Sequence, residues 1–277
     1  MTTLASHAPG SPDVLDQILA DGFGTVRLDP REAARLAFLY KEAAAFFAGE
    51  EPVKLRYSLP NRIAGYRPHG YAHAGAPDKP DLNDSFLYWK HRRELLAHHG
   101  EISSFLDAFE AYRTVAARIT GDLIESLRLR YGYRPRLPFE DASVLQINSF
   151  GRPTDDELLQ QPHEDAVLLT VISTNAPGLE AVFDGVAKPL VFAPDEVLVM
   201  PGSVLTLMTG GAVKPFYHQA RNHAILDRKS VMYFVSPDTA NAIEPFVVND
   251  YNRSVDIREV VISNPQTFGL SEDFVSA

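Results

Sequence analysis

Residues 162–173 read PHEDAVLLTVIS, in which a histidine and an aspartate precede a run of β-branched and apolar residues. The run from Val167 to Ser173 is typical of a buried strand. His163 and Asp165 lie two positions apart, so in an extended segment both side chains point to the same face, where one metal ion could bind both. The stretch therefore predicts a strand beside a paired imidazole and carboxylate.

Short runs of the same kind continue on both sides of this stretch and alternate with turn signals such as Asp184-Gly185. The predicted strands are Ser143–Phe150, Val167–Ser173, Leu179–Phe183, Lys188–Phe192, Val197–Met200, Val204–Met208 and Val231–Val235. Many short strands at this spacing predict an α+β fold, with a jelly-roll sandwich or barrel as its core and helices packed outside it.

The residues before position 141 have a mostly helical pattern. Helices are predicted for Asp13–Ala20, Arg31–Ala48 and Ile102–Tyr131, with a short β-like run at Thr25–Leu28 and a long irregular loop at Glu51–Pro80. No repeat, linker or charge block marks a boundary, so we expect a single domain over residues 1–277. Its expected parts are a mainly helical region at 1–140, a β-core at 141–240 and a C-terminal cap at 241–277.

Composition excludes several classes of protein. The 277 residues include 26 Lys and Arg against 36 Asp and Glu, a net charge of −10, which argues against nucleic acid as a partner because phosphate backbones are bound by clustered cations. The chain has no cysteine, so a metal must be held by His, Asp or Glu. No apolar run approaches the roughly 20 residues of a membrane span, and Met1–Gly10 has no signal-peptide core. We therefore expect a cytoplasmic protein without membrane contact, of undetermined oligomeric state.

A second histidine completes a candidate metal site. His218 lies 55 residues after His163, at the edge of another strand-like run, so the sheet could bring it back to His163 and Asp165. Two histidines and one carboxylate on one face of an iron ion form the facial triad of non-haem Fe(II) oxygenases. The positions left open would take a cosubstrate and O2.

Ten residues after His218 comes Arg228, followed by Lys229 and Ser230. On a strand, Arg228 and Ser230 share a face. A planar guanidinium can hold a carboxylate by two parallel hydrogen bonds, and a nearby hydroxyl adds a third donor. The pair is therefore a candidate clamp for a dicarboxylate, whereas His223 lacks this spacing and is interpreted as structural.

The His-x-Asp, His and Arg-x-Ser pattern resembles that of the Fe(II)/2-oxoglutarate-dependent dioxygenases, and within them the isopenicillin N synthase-like branch. The resemblance covers most of the chain, and the other segments that carry it are Gly65–Gly70, Lys79–Phe86, Pro177–Glu180 and Met200–Ser203. It implies a distorted double-stranded β-helix of the jelly-roll, cupin-like kind, with Fe(II) held by His163, Asp165 and His218. It also implies that 2-oxoglutarate binds the iron at one end and Arg228 and Ser230 at the other.

Further residues take expected roles from the resemblance. Asn148 is expected to hydrogen-bond the cosubstrate, whereas Phe150 stands where many relatives have a tyrosine whose phenol helps bind 2-oxoglutarate. The side chains expected near the substrate offer aromatic walls and polar groups, as small-molecule pockets do. They are Tyr66, Arg67, His69, Phe86 and Tyr88.

The resulting expectation is a non-haem Fe(II)/2-oxoglutarate-dependent oxygenase that hydroxylates or otherwise oxidises an unactivated C–H of a small metabolite, with release of succinate and CO2. Many relatives work in specialised metabolism. Asp165 argues against halogenation, because related halogenases lack that carboxylate. Two alternatives stay open: a 2-oxoglutarate-independent Fe(II) oxidase that catalyses oxidative cyclisation, and a non-catalytic cupin-like protein that binds a metal or ligand.

Overall fold

The computed structural model describes residues 13–74, 78–97 and 101–263. Its helices are Val14–Asp21 (α1), Pro30–Phe47 (α2), Glu51–Leu55 (α3), Arg93–Ala97 (α4), Ser103–Tyr131 (α5), Ser203–Met208 (α6) and Ile257–Ile262 (α7). Its strands are Gly24–Arg27 (β1), Gly65–Arg67 (β2), Asp84–Tyr88 (β3), Val144–Phe150 (β4), Leu158–His163 (β5), Leu169–Thr174 (β6), Leu179–Phe183 (β7), Val186–Pro189 (β8), Glu196–Pro201 (β9), His218–Arg221 (β10) and Arg228–Val235 (β11).

The strands form two antiparallel sheets. The larger sheet has seven strands in the order β1-β9-β6-β11-β4-β3-β2, and the smaller has four in the order β5-β10-β7-β8. Strands far apart in the sequence are neighbours, since β11 pairs with both β4 and β6 and β9 pairs with β1. This is the α+β architecture of packed sheets and flanking helices that the short strand runs predicted.

One face of the large sheet packs against helices. On β11 the alternate residues Val231 and Tyr233 belong to the same buried apolar cluster as the inner residues of α2 and α5. Helix α5 is 29 residues long and ends at Gly132, whose left-handed φ of 64° lets its N–H reach the carbonyl groups of the last turn. Helix α2 begins with a capping box between Asp29 and Glu32. We call the helix-covered side of the large sheet its outer face.

The opposite, inner face of the large sheet turns toward the small sheet. Met232 of β11 and Ile172 of β6 share a second buried cluster with Ala181 of β7, a strand of the small sheet. The pairing of β11 with β4 runs without a break, so strict alternation places Arg228 and Ser230 on the same side as Met232. The predicted clamp therefore lies between the two sheets.

Several local predictions were wrong. Val204–Met208 forms helix α6 instead of a strand, because a short apolar run fits either state and Asn252 Nδ2 donates to the Leu207 carbonyl at the end of the helix. The range Glu51–Pro80 is not all loop, since it contains α3 and β2. Strand β5 was missed, and β1, β2 and β3 join the large sheet, so the N-terminal half contributes strands to the core as well as helices.

The C-terminal part contains helix α7, which packs against α6. Residues 264–277 of the predicted cap lie outside the described residues. Within the described ranges, no helix is both long enough and apolar enough to cross a membrane.

Candidate metal centre

The structure brings His163, Asp165 and His218 together. His218 of β10 lies directly opposite His163 of β5 in the small sheet, and their ring centroids are 4.3 Å apart. One ligand atom from each of the three residues can be chosen so that all lie within 4.8 Å of one another. The 55-residue separation in sequence is closed by strand pairing.

Backbone carbonyl groups orient both imidazole rings. The Nδ1 atom of His163 lies 2.7 Å from the Gln161 carbonyl oxygen, and that of His218 lies 3.4 Å from the Phe216 carbonyl oxygen. Because a carbonyl oxygen can only accept, each Nδ1 carries the proton and each Nε2 keeps its lone pair. This tautomer presents Nε2 to a metal ion.

The carboxylate of Asp165 is oriented by Thr170. The Thr170 Oγ1 donates to Asp165 Oδ2 over 2.6 Å, while Asp165 Oδ1 lies 3.9 Å from His163 Nε2. Thr170 is fully buried on β6, so its hydroxyl has a fixed position. One carboxylate oxygen is thus engaged, and the other faces the imidazole.

Electrostatics favour the metal-binding form of His218. Burial, helped by the neighbouring His163 ring, lowers the pKa of His218 to about 4, although Asp165 acts in the opposite direction. The ring is therefore neutral near pH 7, as a metal ligand must be.

Arg228 is buried on the inner face with a donor that has no partner. Its Nε donates to the Pro177 carbonyl over 3.1 Å and its Cζ lies 4.5 Å from the centroid of the Phe150 ring. Its Nη1 is buried and has no hydrogen-bond partner among the described residues. Burial lowers the pKa of Arg228 to about 10, so the side chain stays charged at neutral pH. A buried charged donor without a partner is costly, and a carboxylate ligand would satisfy it.

Ser230 and Asn148 extend this region along the inner face. They lie directly opposite each other on β11 and β4, and both are buried. Gln146 Nε2 donates to Asn148 Oδ1 over 2.7 Å, which leaves the amide nitrogen of Asn148 as the group that can donate to a ligand.

Three of the residues expected near the substrate lie on the other side of the sheet. Tyr66, Phe86 and Tyr88 face the helix layer and are fully buried. Phe86 packs against phenylalanines of α2 and α5, and the Tyr88 hydroxyl donates to Glu110 Oε2 over 2.9 Å. The Tyr66 hydroxyl donates to the Asp84 carboxylate. Because side chains alternate along a strand, these aromatic residues belong to the core and are not brought to the metal site.

The other two expected substrate residues lie elsewhere. Arg67 is paired with Ser85 on the inner face, and its Nε donates to the Arg62 carbonyl over 2.7 Å. His69 follows β2, is partly exposed, and has a buried Nδ1 without a hydrogen-bond partner among the described residues. Burial lowers the pKa of His69.

Sequence reasoning missed two supports of the site. Thr170 follows Asp165 by five residues, a spacing that belongs to no motif; only the alternation within β6 could have indicated it. Gly178 lies against Arg228: a Cβ at this position would be 3.1 Å from Arg228 Nε and 2.7 Å from the Arg221 carbonyl oxygen. Such approaches are visible only once the strands are assembled.

The residues fit the cofactors that the motifs imply. Two imidazoles with free Nε2 atoms and one carboxylate make a donor set suited to Fe(II) with ligand positions left open. The unpartnered Nη1 of Arg228 suits the far carboxylate of 2-oxoglutarate.

Comparison with known proteins agrees with this assignment. The model of the 2OG-Fe(II) oxygenase superfamily matches residues 125–237. Oxoglutarate-dependent flavonoid 7-O-demethylase 1 of Ocimum basilicum is 28% identical over 149 residues, which are 51% of this chain and 40% of that protein. Gibberellin 2-beta-dioxygenase 3 of Arabidopsis thaliana is 24% identical over 231 residues, which are 76% of this chain and 67% of that protein. The match thus spans less than half the length of the first relative.

A solved structure shows the same fold. The full-length Neurospora crassa T7H in complex with alpha-KG aligns with a TM-score of 0.73 at 15% identity, covering 91% of this chain and 88% of that one. This likeness confirms the predicted double-stranded β-helix core. The family match covers the strand-rich part of the chain, and the cofactor residues lie inside that range. The chain is thus similar to the 2OG-Fe(II) oxygenases, and the isopenicillin N synthase-like branch is consistent with this similarity.

Proposed function

We propose that the chain is an Fe(II)- and 2-oxoglutarate-dependent oxygenase that hydroxylates, or otherwise oxidises, an unactivated C–H of a small metabolite. In the hydroxylation, one oxygen atom of O2 enters the substrate as a hydroxyl group and the other enters succinate, while 2-oxoglutarate loses CO2. The names of the two relatives, a flavonoid demethylase and a gibberellin dioxygenase, support a small-molecule substrate. The cytoplasmic location and the absence of nucleic acid partners stay predictions from the sequence.

The observation that carries this proposal is the pairing of a preorganised triad with a buried, unpartnered guanidinium. A structural metal site needs His163, Asp165 and His218 but has no use for Arg228 Nη1. A ligand that chelates a metal at one end and carries a carboxylate at the other would engage both the triad and Arg228. This favours an oxygenase with a dicarboxylate cosubstrate over a cupin-like protein that only binds metal.

Each residue then has a definite task. His163 and His218 would hold the metal through Nε2, while each Nδ1–H donates to a backbone carbonyl oxygen, and the Thr170 hydroxyl orients the Asp165 carboxylate. Arg228 and Ser230 would bind the far carboxylate of the cosubstrate, and Asn148, which lies opposite Ser230, would donate a hydrogen bond to the cosubstrate. Bound Fe(II) supplies the site at which O2 is activated as 2-oxoglutarate is decarboxylated.

The inner face also excludes water. Ile172, Leu198 and Met232 are buried side chains of the apolar cluster between the two sheets. Apolar surroundings strengthen the charged contacts of Arg228 and limit side reactions of the activated cofactor.

The test is an anaerobic titration of the metal-free protein with Fe(II) and then with 2-oxoglutarate. Bidentate chelation should produce a weak visible metal-to-ligand charge-transfer band. We expect the band in the wild type, no Fe(II) binding in His163→Ala, and a band that needs far more 2-oxoglutarate in Arg228→Gln. The matched controls, His223→Ala and Arg136→Gln, change exposed residues and should behave as wild type.

The outcomes separate the alternatives. Fe(II) binding without a band in the wild type would move the assignment to the 2-oxoglutarate-independent oxidase. Absence of Fe(II) binding would refute the enzyme assignment. A band without succinate release in air would favour the non-catalytic binding protein.

A further inference from the structure

Arg67 is a second arginine on the inner face whose charge has no acidic partner among the described residues. The titratable neighbours that influence its pKa are the phenol of Tyr71 and the guanidinium of Arg62, and neither is a carboxylate. Burial lowers its pKa to about 10, so it is a cation at neutral pH. Its Nε donates to a backbone carbonyl, and no described carboxylate pairs with its terminal nitrogens.

Register connects Arg67 to the cosubstrate clamp. Arg67 of β2 lies opposite Ser85 of β3, Ser85 lies opposite Asn148 of β4, and Asn148 lies opposite Ser230 of β11. Side chains directly opposite each other in a sheet project on the same side. The four residues therefore form one polar row on the inner face, which runs from the clamp to the edge strand β2.

Arg113, which is buried, shows how this protein neutralises an arginine that has only a structural role. Arg113 of α5 lies 2.7 Å from Glu110 and 3.1 Å from Glu140, and these contacts raise its pKa. Within the described ranges, neither Arg67 nor Arg228 has such a pair. Since an unpaired charge in a desolvated position is costly, an arginine kept there without an acid fits a ligand that supplies one.

The surroundings of Arg67 suit an aromatic or otherwise flat anion. The guanidinium carbons of Arg62 and Arg67 lie 4.5 Å and 5.5 Å from the centroid of the Tyr71 ring. Arg62 has a left-handed φ of 54°, so the chain turns sharply here and brings two like charges to one ring. Two cations beside one aromatic surface would repel each other less with an anion between them.

We propose that Arg67 binds a carboxylate of the substrate, so that the chain oxidises a small carboxylic acid. The proposal rests on the function proposed above, because it assigns the substrate class of that same site. Arg228 would take the carboxylate of the cosubstrate, and Arg67 that of the substrate at the other end of the polar row.

A competing source of negative charge lies within the chain. The acidic side chains outside the described ranges are Glu272 and Asp273. If they neutralise Arg67, no substrate carboxylate is needed there. The experiment therefore includes the double variant Glu272→Gln, Asp273→Asn.

Binding is measured by anaerobic calorimetry on protein loaded with Fe(II) and one equivalent of 2-oxoglutarate. The probes are benzoate, phenylacetate and 3-phenylpropanoate, each compared with its primary amide, which has the same shape without the charge. We expect at least one acid to bind the wild type about 10-fold or more tightly than its amide, as a charge-assisted bidentate contact provides. Arg67→Gln should remove this preference, Arg67→Lys should retain part of it, and the exposed control Arg136→Gln should keep it.

Failure of this inference is distinguishable from failure of the proposed function. The charge-transfer band with 2-oxoglutarate should be unchanged in Arg67→Gln, which also shows that the variant is folded. If no band forms in the wild type, the same titrations on the metal-free protein still test Arg67. The inference is overturned if no acid binds more tightly than its amide, if Arg67→Gln keeps the preference, or if the preference arises only in the Glu272→Gln, Asp273→Asn variant.

Discussion

The guanidinium carbon of Arg228 lies 4.5 Å from the centre of the Phe150 ring, directly across the β11–β4 pair. A phenylalanine here supplies no phenol to a ligand, but its ring face attracts the guanidinium cation. The position that lacks the hydroxyl of many relatives thus supports the clamp by another contact.

Replacing Phe150 by leucine should weaken cosubstrate binding. Loss of a partly desolvated cation–π contact is expected to raise the Kd for 2-oxoglutarate about 3- to 10-fold, with little change in Fe(II) affinity. Titration of the charge-transfer band measures both. Phe150→Tyr keeps the ring and is expected to bind at least as well as wild type; an unchanged Kd in Phe150→Leu would show that the ring does not orient Arg228.

Thr170→Val should lower metal affinity without removing a ligand. Valine has nearly the shape of threonine but leaves Asp165 Oδ2 without its 2.6 Å donor, so the carboxylate is no longer held in place. We expect Fe(II) affinity to fall about 10- to 100-fold, as for other residues that orient metal ligands. Thr25→Val on β1 is the matched control, and equal affinities in the two variants would contradict the orienting role.

The metal ligands could be predicted because their chemistry is local in sequence. His163 and Asp165 are two residues apart, and Arg228 follows His218 by ten, so both pairs form short patterns that can be recognised in the sequence, although β10 and β11 belong to different sheets. The outcome for the aromatic residues was different. Whether Phe86 points toward the cavity or the helices depends on the register of β3 against β4, and a one-residue shift would reverse it.

The lack of acidic partners around Arg67 and Arg228 is a second feature that the sequence does not predict. Arginines usually lie at the protein surface, and the sequence contains 36 acidic residues that could pair with either of these two. Only the folded structure shows that Arg113 is paired with two glutamates and that Arg67 and Arg228 have no acidic partner among the described residues. The unsatisfied charge is a property of tertiary structure.

Gly178→Ala should damage both stability and the clamp. Gly178 has φ of 124°, and an added Cβ would lie 2.7 Å from the Arg221 carbonyl oxygen and 3.1 Å from Arg228 Nε. We expect a loss of about 1–3 kcal/mol in the free energy of unfolding and weaker 2-oxoglutarate binding. Urea unfolding and the charge-transfer titration check the two effects.

Gly185→Ala is the control for this variant. Gly185 also has a positive φ, 76°, but a Cβ there meets nothing within 4 Å. It should lose stability through backbone strain alone and keep its cosubstrate affinity. Equal cosubstrate affinities in both alanine variants would contradict the close approach to Arg228.

His69 should make the fold sensitive to acid. Burial, together with the nearby Arg152, lowers the pKa of His69, while Asp84 and Glu51 oppose the shift only in part. The unfolded chain titrates near the ordinary value of about 6.5, so below that pH it takes up a proton more readily than the folded chain. Stability is therefore expected to fall as the pH decreases through and below about 6.5. Urea midpoints at pH 8 and pH 5.5 should differ more in the wild type than in His69→Gln, whereas the exposed control His73→Gln should follow the wild type; parallel losses in the wild type and His69→Gln would assign the acid sensitivity to other groups.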